Sequence, residues 1–352
     1  MKPEAMPFPV FDGAQYAQWS RKIFEQMRAG GVEAVDVTVA YHENFRSTVN
    51  LLMEWNRLFR ENADLIALAQ NIDEMRAINA SGRTAIFLAL QNPSPIEAEI
   101  GLVEMLFRLG IRIMQLSYNN QSLLCSGWTE EHDSGLTLMG REVVNEMNRL
   151  GMVIDMSHAG ERSTLDVIDY SARPVVISHA NPYSWHPTRR NVSDEVLRRL
   201  ARTGGLVGLS LYPRHMPAGS GTSLRGFCEM AARLADMIGA GRIGIGSDLC
   251  QDRPASSLHW MREGRWRFPN PTAESTDFPS PVSWFSSNLD FPNIAEGLRQ
   301  IGFAEQEIAG IMGGNWVRFL SSAMQPDDRT LPRSVAVAAG QGLVDKLARV
   351  NG

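Results

Sequence analysis

Three stretches decide the reading: Met152-Val153-Ile154-Asp155-Met156-Ser157-His158, Pro174-Val175-Val176-Ile177-Ser178-His179 and Ile243-Gly244-Ile245-Gly246-Ser247-Asp248. Each is apolar until its last residues, then ends in Ser-His or Ser-Asp. Short runs of this kind read as buried strands. In a closed parallel barrel the C-terminal strand ends converge on one face, where the chemistry collects. Neighbouring strands lie about 4.8 Å apart, so two imidazoles at adjacent tips can share one divalent ion. A carboxylate at a third tip can move a proton.

Working outward, eight candidate strands alternate with helical stretches: Phe8–Phe11, Ala34–Ala40, Ala85–Leu90, Arg112–Ser117, Val153–Ser157, Val175–Ser178, Leu206–Leu211 and Ile243–Gly246. The clearest helix runs from Thr137 to Leu150. Thr137 suits its N-cap, Met139, Val143, Val144, Met147 and Leu150 form its apolar stripe, and Gly151 can end it in the left-handed conformation. A second helix spans about Asp194 to Arg202, with Ser193 as cap and Gly204 beyond its end. This alternation predicts an α/β fold, a (β/α)8 TIM barrel of the metal-dependent hydrolase type, as one domain over residues 1–352. The surplus over a minimal barrel falls in two places. A Pro-, Ser- and Trp-rich segment, about 251–293, is predicted to loop over the site; Trp260, Trp266 and Trp284 suit either a lid or a dimer contact. A helical tail is predicted at about 315–352.

The bulk numbers exclude several classes. The chain has 352 residues, 44% hydrophobic and 21% charged, which is ordinary globular composition. Its net charge of −5, without a polybasic tract, argues against a nucleic-acid or membrane-surface partner. No apolar stretch reaches the roughly 20 residues of a spanning helix, and the start lacks a signal-peptide core. Cys125, Cys228 and Cys250 are too few and too scattered for a disulfide framework, so a reduced, cytoplasmic protein is the default.

Each candidate residue also has a plain structural reading. His158 and His179 could be hydrogen-bonded strand ends, but two Ser-His endings on successive strands favour a metal pair. Asp248 could cap the next segment; at a barrel tip it suits proton transfer. Arg190, in Arg189-Arg190-Asn191, could pair with the helix after it or hold a substrate carboxylate. Tyr212, Tyr118 and Asn119 face the predicted mouth, and His42 could border it. His132, His186, His215 and His259 fall in loops and read as surface residues.

At these residues the chain resembles the membrane (renal-type) dipeptidase family of zinc hydrolases. The likeness runs from Gly135-Leu136-Thr137 through Gly140-Arg141-Glu142-Val143-Val144, Asp155-Met156-Ser157-His158, Ser178-His179 and Arg189-Arg190-Asn191 to Leu206-Val207-Gly208. It resumes at Gly244-Ile245-Gly246-Ser247-Asp248 and Gly313-Gly314-Asn315-Trp316. The resemblance implies a usually dimeric barrel with a binuclear zinc site that cleaves dipeptides. By position it makes His158 and His179 ligands of the second metal, Asp248 the acid/base and Arg190 the carboxylate grip. Tyr212 becomes a neighbour of bound substrate, and Tyr118 stands where many members have a substrate-contacting histidine.

The chain departs from the family where the first zinc should sit. The family's Asp-Gly-His-x-Asp reads Asp12-Gly13-Ala14-Gln15-Tyr16 here, and its bridging glutamate is Gln91. Alanine cannot bind a metal, and Gln91 is a neutral, weaker ligand. The expectation is therefore one zinc ion at most, on His158 and His179 with help from Gln91, in an enzyme cleaving a dipeptide or related small amide. The alternatives are a metal-free acid/base enzyme, an isomerase or lyase acting on a small carboxylate, and a non-catalytic binder of a small ligand.

Overall fold

The computed structural model describes residues 8–254, 258, 261 and 278–326. Among these residues ten parallel strands are present: β1 (Val10–Ala17), β2 (Val32–Ala40), β3 (Ile66–Leu68), β4 (Thr84–Leu90), β5 (Ile111–Gln115), β6 (Val153–Asp155), β7 (Val176–Ala180), β8 (Leu206–Leu209), β9 (Ile243–Ile245) and β10 (Leu249–Gln251). Eight of them close the barrel in the order β1-β2-β4-β5-β6-β7-β8-β9, with Asp12 of β1 against Ile245 of β9. The chain is an α/β TIM barrel, as the strand pattern predicts.

Helices return the chain between strands, and their ends follow local chemistry. The helix Leu138–Leu150 starts where the Thr137 side chain accepts a hydrogen bond from Gly140 N, and it stops at Gly151, whose φ is 74°. The helix Asp194–Arg202 is capped by Ser193, which accepts from Val196 N. Their apolar stripes, including Val143, Val144 and Met147 on the first, are buried against the barrel.

The bottom of the barrel is plugged by the helix Asn315–Ala323. Trp316 is fully buried, stacks on Phe11 at 5.3 Å and donates through Nε1 to Ile245 O at 2.9 Å. Two glycines make room for the indole: a Cβ on Gly13 or Gly244 would lie 1.9 or 2.4 Å from it. Above this apolar floor the strands turn polar, and the site begins there. Trp316→Ala should cost about 3–5 kcal/mol by emptying this floor, read as a lower urea midpoint at unchanged slope.

Several boundaries differ from the sequence expectation. β1 does not end at Phe11 but continues to Ala17, so Asp12 to Tyr16 are strand residues. Their polar groups are satisfied inside the barrel: Asp12 accepts from Ser247 N at 2.7 Å and from Gln15 Nε2 at 2.7 Å. His179 lies within β7 rather than after it, while β6 ends at Asp155 and β8 at Leu209. β3 and β10 were not expected. β3 covers the first residues of β4, Thr84 to Ile86, where β5 does not pair. β10 takes over from β9 beside β1, pairing with Gln15 to Ala17.

The 251–293 segment is not wholly loop. Gln251 closes β10, Asn288–Asp290 form a 3-10 turn, and a helix runs over Phe291–Ile301. Trp284 packs on Phe227 and donates to Thr222 O at 2.8 Å, so it belongs to the barrel's outer layer. Trp260, Trp266 and the tail past residue 326 lie outside the described residues.

Candidate functional site

A cavity of about 820 Å³ opens at the C-terminal ends of the strands. Its wall includes Gln91, Tyr118, His158, Arg190, Tyr212 and Asp248, six of the seven residues assigned a role from the sequence, together with Asn119. The seventh, His179, lies just behind: its Nε2 is 2.9 Å from Nε2 of His158.

The protons around this pair can be assigned. Asn119 Oδ1 accepts from Trp128 Nε1, a nitrogen that can only donate, at 2.7 Å, which fixes that atom as the oxygen. It also lies 2.7 Å from Nδ1 of His158, so Nδ1 carries the hydrogen. On the other side, Asp155 receives five donors: Ser157 N, Ser157 Oγ, Ser178 N, Ser178 Oγ and Gln115 Nε2. Three of these donors are N–H groups that can only donate, so the carboxyl is the acceptor here, and Ser178 spends its one hydrogen on it at 2.5 Å. Ser178 Oγ is also 2.7 Å from Nδ1 of His179, so that nitrogen must be the donor. Both imidazoles therefore carry hydrogen on Nδ1, and both Nε2 lone pairs point at the same place. Burial, then the charge of Arg190, hold both rings well below the usual histidine range, which keeps those lone pairs free.

Asp248 reaches the site from the break between two short strands. Gly246-Ser247-Asp248 separate β9 from β10, and Asp248 N donates to Ala14 O at 2.9 Å. Asp248 has φ 56°, His158 has φ 67° and Asn119 has φ 60°, all left-handed without being glycine. Each such residue costs on the order of 1 kcal/mol or more and persists only where its surroundings enforce it. Burial raises the Asp248 carboxyl to about 7, against the opposing pull of Arg190.

Arg190 is buried in the cavity wall. Its Nη2 donates to His179 O at 2.9 Å, and its Nε is buried without a partner. Burial pushes it down to about 10, so it remains a cation at neutral pH. Tyr118 packs its ring on His158 at 4.4 Å, and His42 meets the edge of Tyr118 at 5.5 Å.

His215 corrects the sequence reading. It was expected at the surface, yet it is 4% exposed and forms part of the cavity wall. Asn181, just past the end of β7, and Asn191, in the β7–β8 connection, donate to its carbonyl at 3.3 and 3.0 Å. His132 is exposed and His186 partly buried, as loop residues should be; His259 lies outside the described residues.

With this geometry in view, residues 14–257 match the family described as membrane dipeptidase (peptidase family M19). The chain belongs to that family. A dipeptidase of Claviceps purpurea, tcpJ, is 26% identical over 285 residues, covering 80% of this chain and 60% of its own. The rat Dipeptidase 3 is 24% identical over 300 residues, covering 82% of this chain and 55% of its own. The chain thus spans a little over half the length of these curated relatives. Among solved structures, an amidohydrolase from Pseudomonas aeruginosa shares 33% identity at TM-score 0.84, with 90% of this chain and 97% of that one covered. A Rhodobacter sphaeroides metallopeptidase, solved with a phosphinate mimic of L-Ala-D-Ala, is 17% identical at TM-score 0.76, covering 90% of this chain and 99% of that one; it shows the shared fold.

Family membership implies metal, and the donors can be tested against it. Two Nε2–zinc bonds of about 2.0–2.1 Å at a tetrahedral angle set the nitrogens roughly 3.3 Å apart. The observed 2.9 Å is a few tenths short of that, and the lone pairs already converge. One ion fits this pair. The family's other position does not fit: Ala14 offers a methyl, the Tyr16 phenol is kept protonated by burial and by nearby Asp248, and Gln91 commits Nε2 to Thr38 Oγ1 at 2.7 Å. Among the described residues no three His, Cys, Asp or Glu side chains group as a metal cage. The chain is a divergent member of its family.

Proposed function

We propose that this protein hydrolyses a dipeptide or related small amide with a free carboxylate, using a single divalent ion, zinc by its donor set. The observation that carries the proposal is the pair of Nε2 lone pairs facing each other at 2.9 Å. Two such lone pairs repel unless a cation sits between them, and the Nδ1 partners forbid either ring from turning its hydrogen inward. His158 and His179 would hold the ion, with the Gln91 carbonyl oxygen as a weaker third donor. An ion held there would supply Lewis-acid chemistry toward water and the scissile carbonyl.

The remaining steps belong to the chain. Asp248, ionised above about pH 7, takes a proton from the attacking water and returns it to the leaving amine. Arg190, a cation in the cavity wall, would pair its guanidinium with a substrate carboxylate. Elemental analysis should find about one zinc per chain, and a panel of L,L- and L,D-dipeptides should include substrates whose turnover stops with chelator. Chelator-insensitive turnover, or no bound metal with no dipeptide cleaved, would overturn this reading in favour of metal-free acid/base chemistry on a small carboxylate.

A further inference from the structure

We propose that His215 is a substrate-binding residue that determines specificity: its Nε2–H donates to the anionic end of the substrate, beside Arg190. The tautomer follows from proton counting. Ser210 Oγ lies 2.7 Å from His215 Nδ1 and accepts from Tyr212 N at 3.2 Å. Among the described residues Ser210 has no acceptor besides His215, so its one hydrogen goes to Nδ1. Nδ1 is then the acceptor, and Nε2 must carry the ring hydrogen. This is opposite to His158 and His179, whose Nε2 atoms are lone pairs. The cavity therefore contains histidines of two kinds, a pair shaped for a cation and one shaped for an oxygen acceptor.

The placement is built rather than incidental. His215 ends a single 3-10 turn, Pro213–His215, directly after the strand tip of β8. Its N–H donates to Tyr212 O at 2.9 Å, and two buried asparagine amides hold its carbonyl. The ring packs edge-on against Tyr212 at 5.0 Å. Ring and guanidinium both border the cavity. After burial, the Arg190 charge does most to hold the imidazole below its usual range, which keeps it a neutral donor beside a cation. A neutral N–H next to a guanidinium suits a carboxylate, which can accept from both; a C-terminal amide offers one oxygen and brings its own hydrogens.

The inference rests on the hydrolase reading for the identity of the ligand, but its test needs no turnover. The purified full chain is titrated with a non-hydrolysable reduced-amide isostere of Gly-Phe, as free acid and as C-terminal amide. The wild type should prefer the acid. His215→Phe should weaken the acid about tenfold or more and leave the amide unchanged. His215→Gln, which keeps an N–H donor, should recover most of the loss. A wild type indifferent to acid or amide, or a His215→Phe protein that binds the acid as the wild type does, would overturn the proposal. Should the variants misfold, ring-nitrogen NMR of the wild type decides: Nε2 should be the protonated nitrogen and should shift with the acid alone, and any other pattern counts against it. Failure of the metal-loaded protein to cleave any dipeptide would remove the hydrolase reading while leaving the acid-over-amide result intact.

Discussion

His179→Ala should leave a folded barrel that no longer retains zinc, with kcat/KM lower by on the order of a thousandfold. The reasoning starts from the ligand count. Catalytic zinc normally has three protein ligands, and among the described residues two strong ones converge. Removing either leaves one imidazole and an amide, too little to hold an ion against dilution. His179 is the cleaner choice because it is fully buried behind the cavity wall. Its loss takes away no wall residue, whereas His158 also supports the ring of Tyr118. Metal content by elemental analysis, a chelator competition and steady-state kinetics check the outcome together. Retained zinc with retained activity would place the ion elsewhere. A companion change, Asn119→Leu, removes the acceptor that fixes His158 and should weaken metal 10–100-fold without abolishing it, as outer-shell partners do.

The parts of this site legible in the sequence are those set by local chemistry. The Ser-His and Ser-Asp endings put His158, His179 and Asp248 together because parallel strands must bring their ends to one face. The caps Thr137 and Ser193 marked helix starts because each bonds a backbone N–H three residues on. Long-range satisfaction of polar groups was not legible. Asp12-Gly13-Ala14-Gln15 looks like a loop, yet it stays in β1 because Ser247 and Asn288, more than 230 residues away, complete its hydrogen bonds. His215 is placed by asparagines 24 and 34 residues earlier in the chain. Strands of three residues, β3 and β10, are too short to show a period. Trp316 reads as part of a helical tail until the glycines facing it are known.

Asp248→Asn should reduce kcat by a factor of about 10²–10⁴ and, unlike the histidine change, leave the metal in place. Its substrate affinity should change little, because Arg190 still meets the carboxylate. The pH dependence sharpens the assignment. Burial raises this carboxyl from 3.8 to about 7. As a base it must be ionised, so activity of the wild type should rise with pH through about 7 and level off above it. The variant, having no carboxyl, should lose that limb from its residual rate. Stability should move the other way. A carboxyl whose folded pKa is raised penalises the folded state wherever it is ionised. The penalty is absent below the unfolded value near 4, grows between there and about 7, and is full above. One pKa unit corresponds to about 1.4 kcal/mol, so the full penalty is on the order of a few kcal/mol. Asp248→Asn should therefore unfold at higher urea than the wild type at pH 8 and at about the same urea at pH 4. Equal midpoints at both values would mean that Asp248 is ordinarily hydrated, and would remove it as the proton carrier.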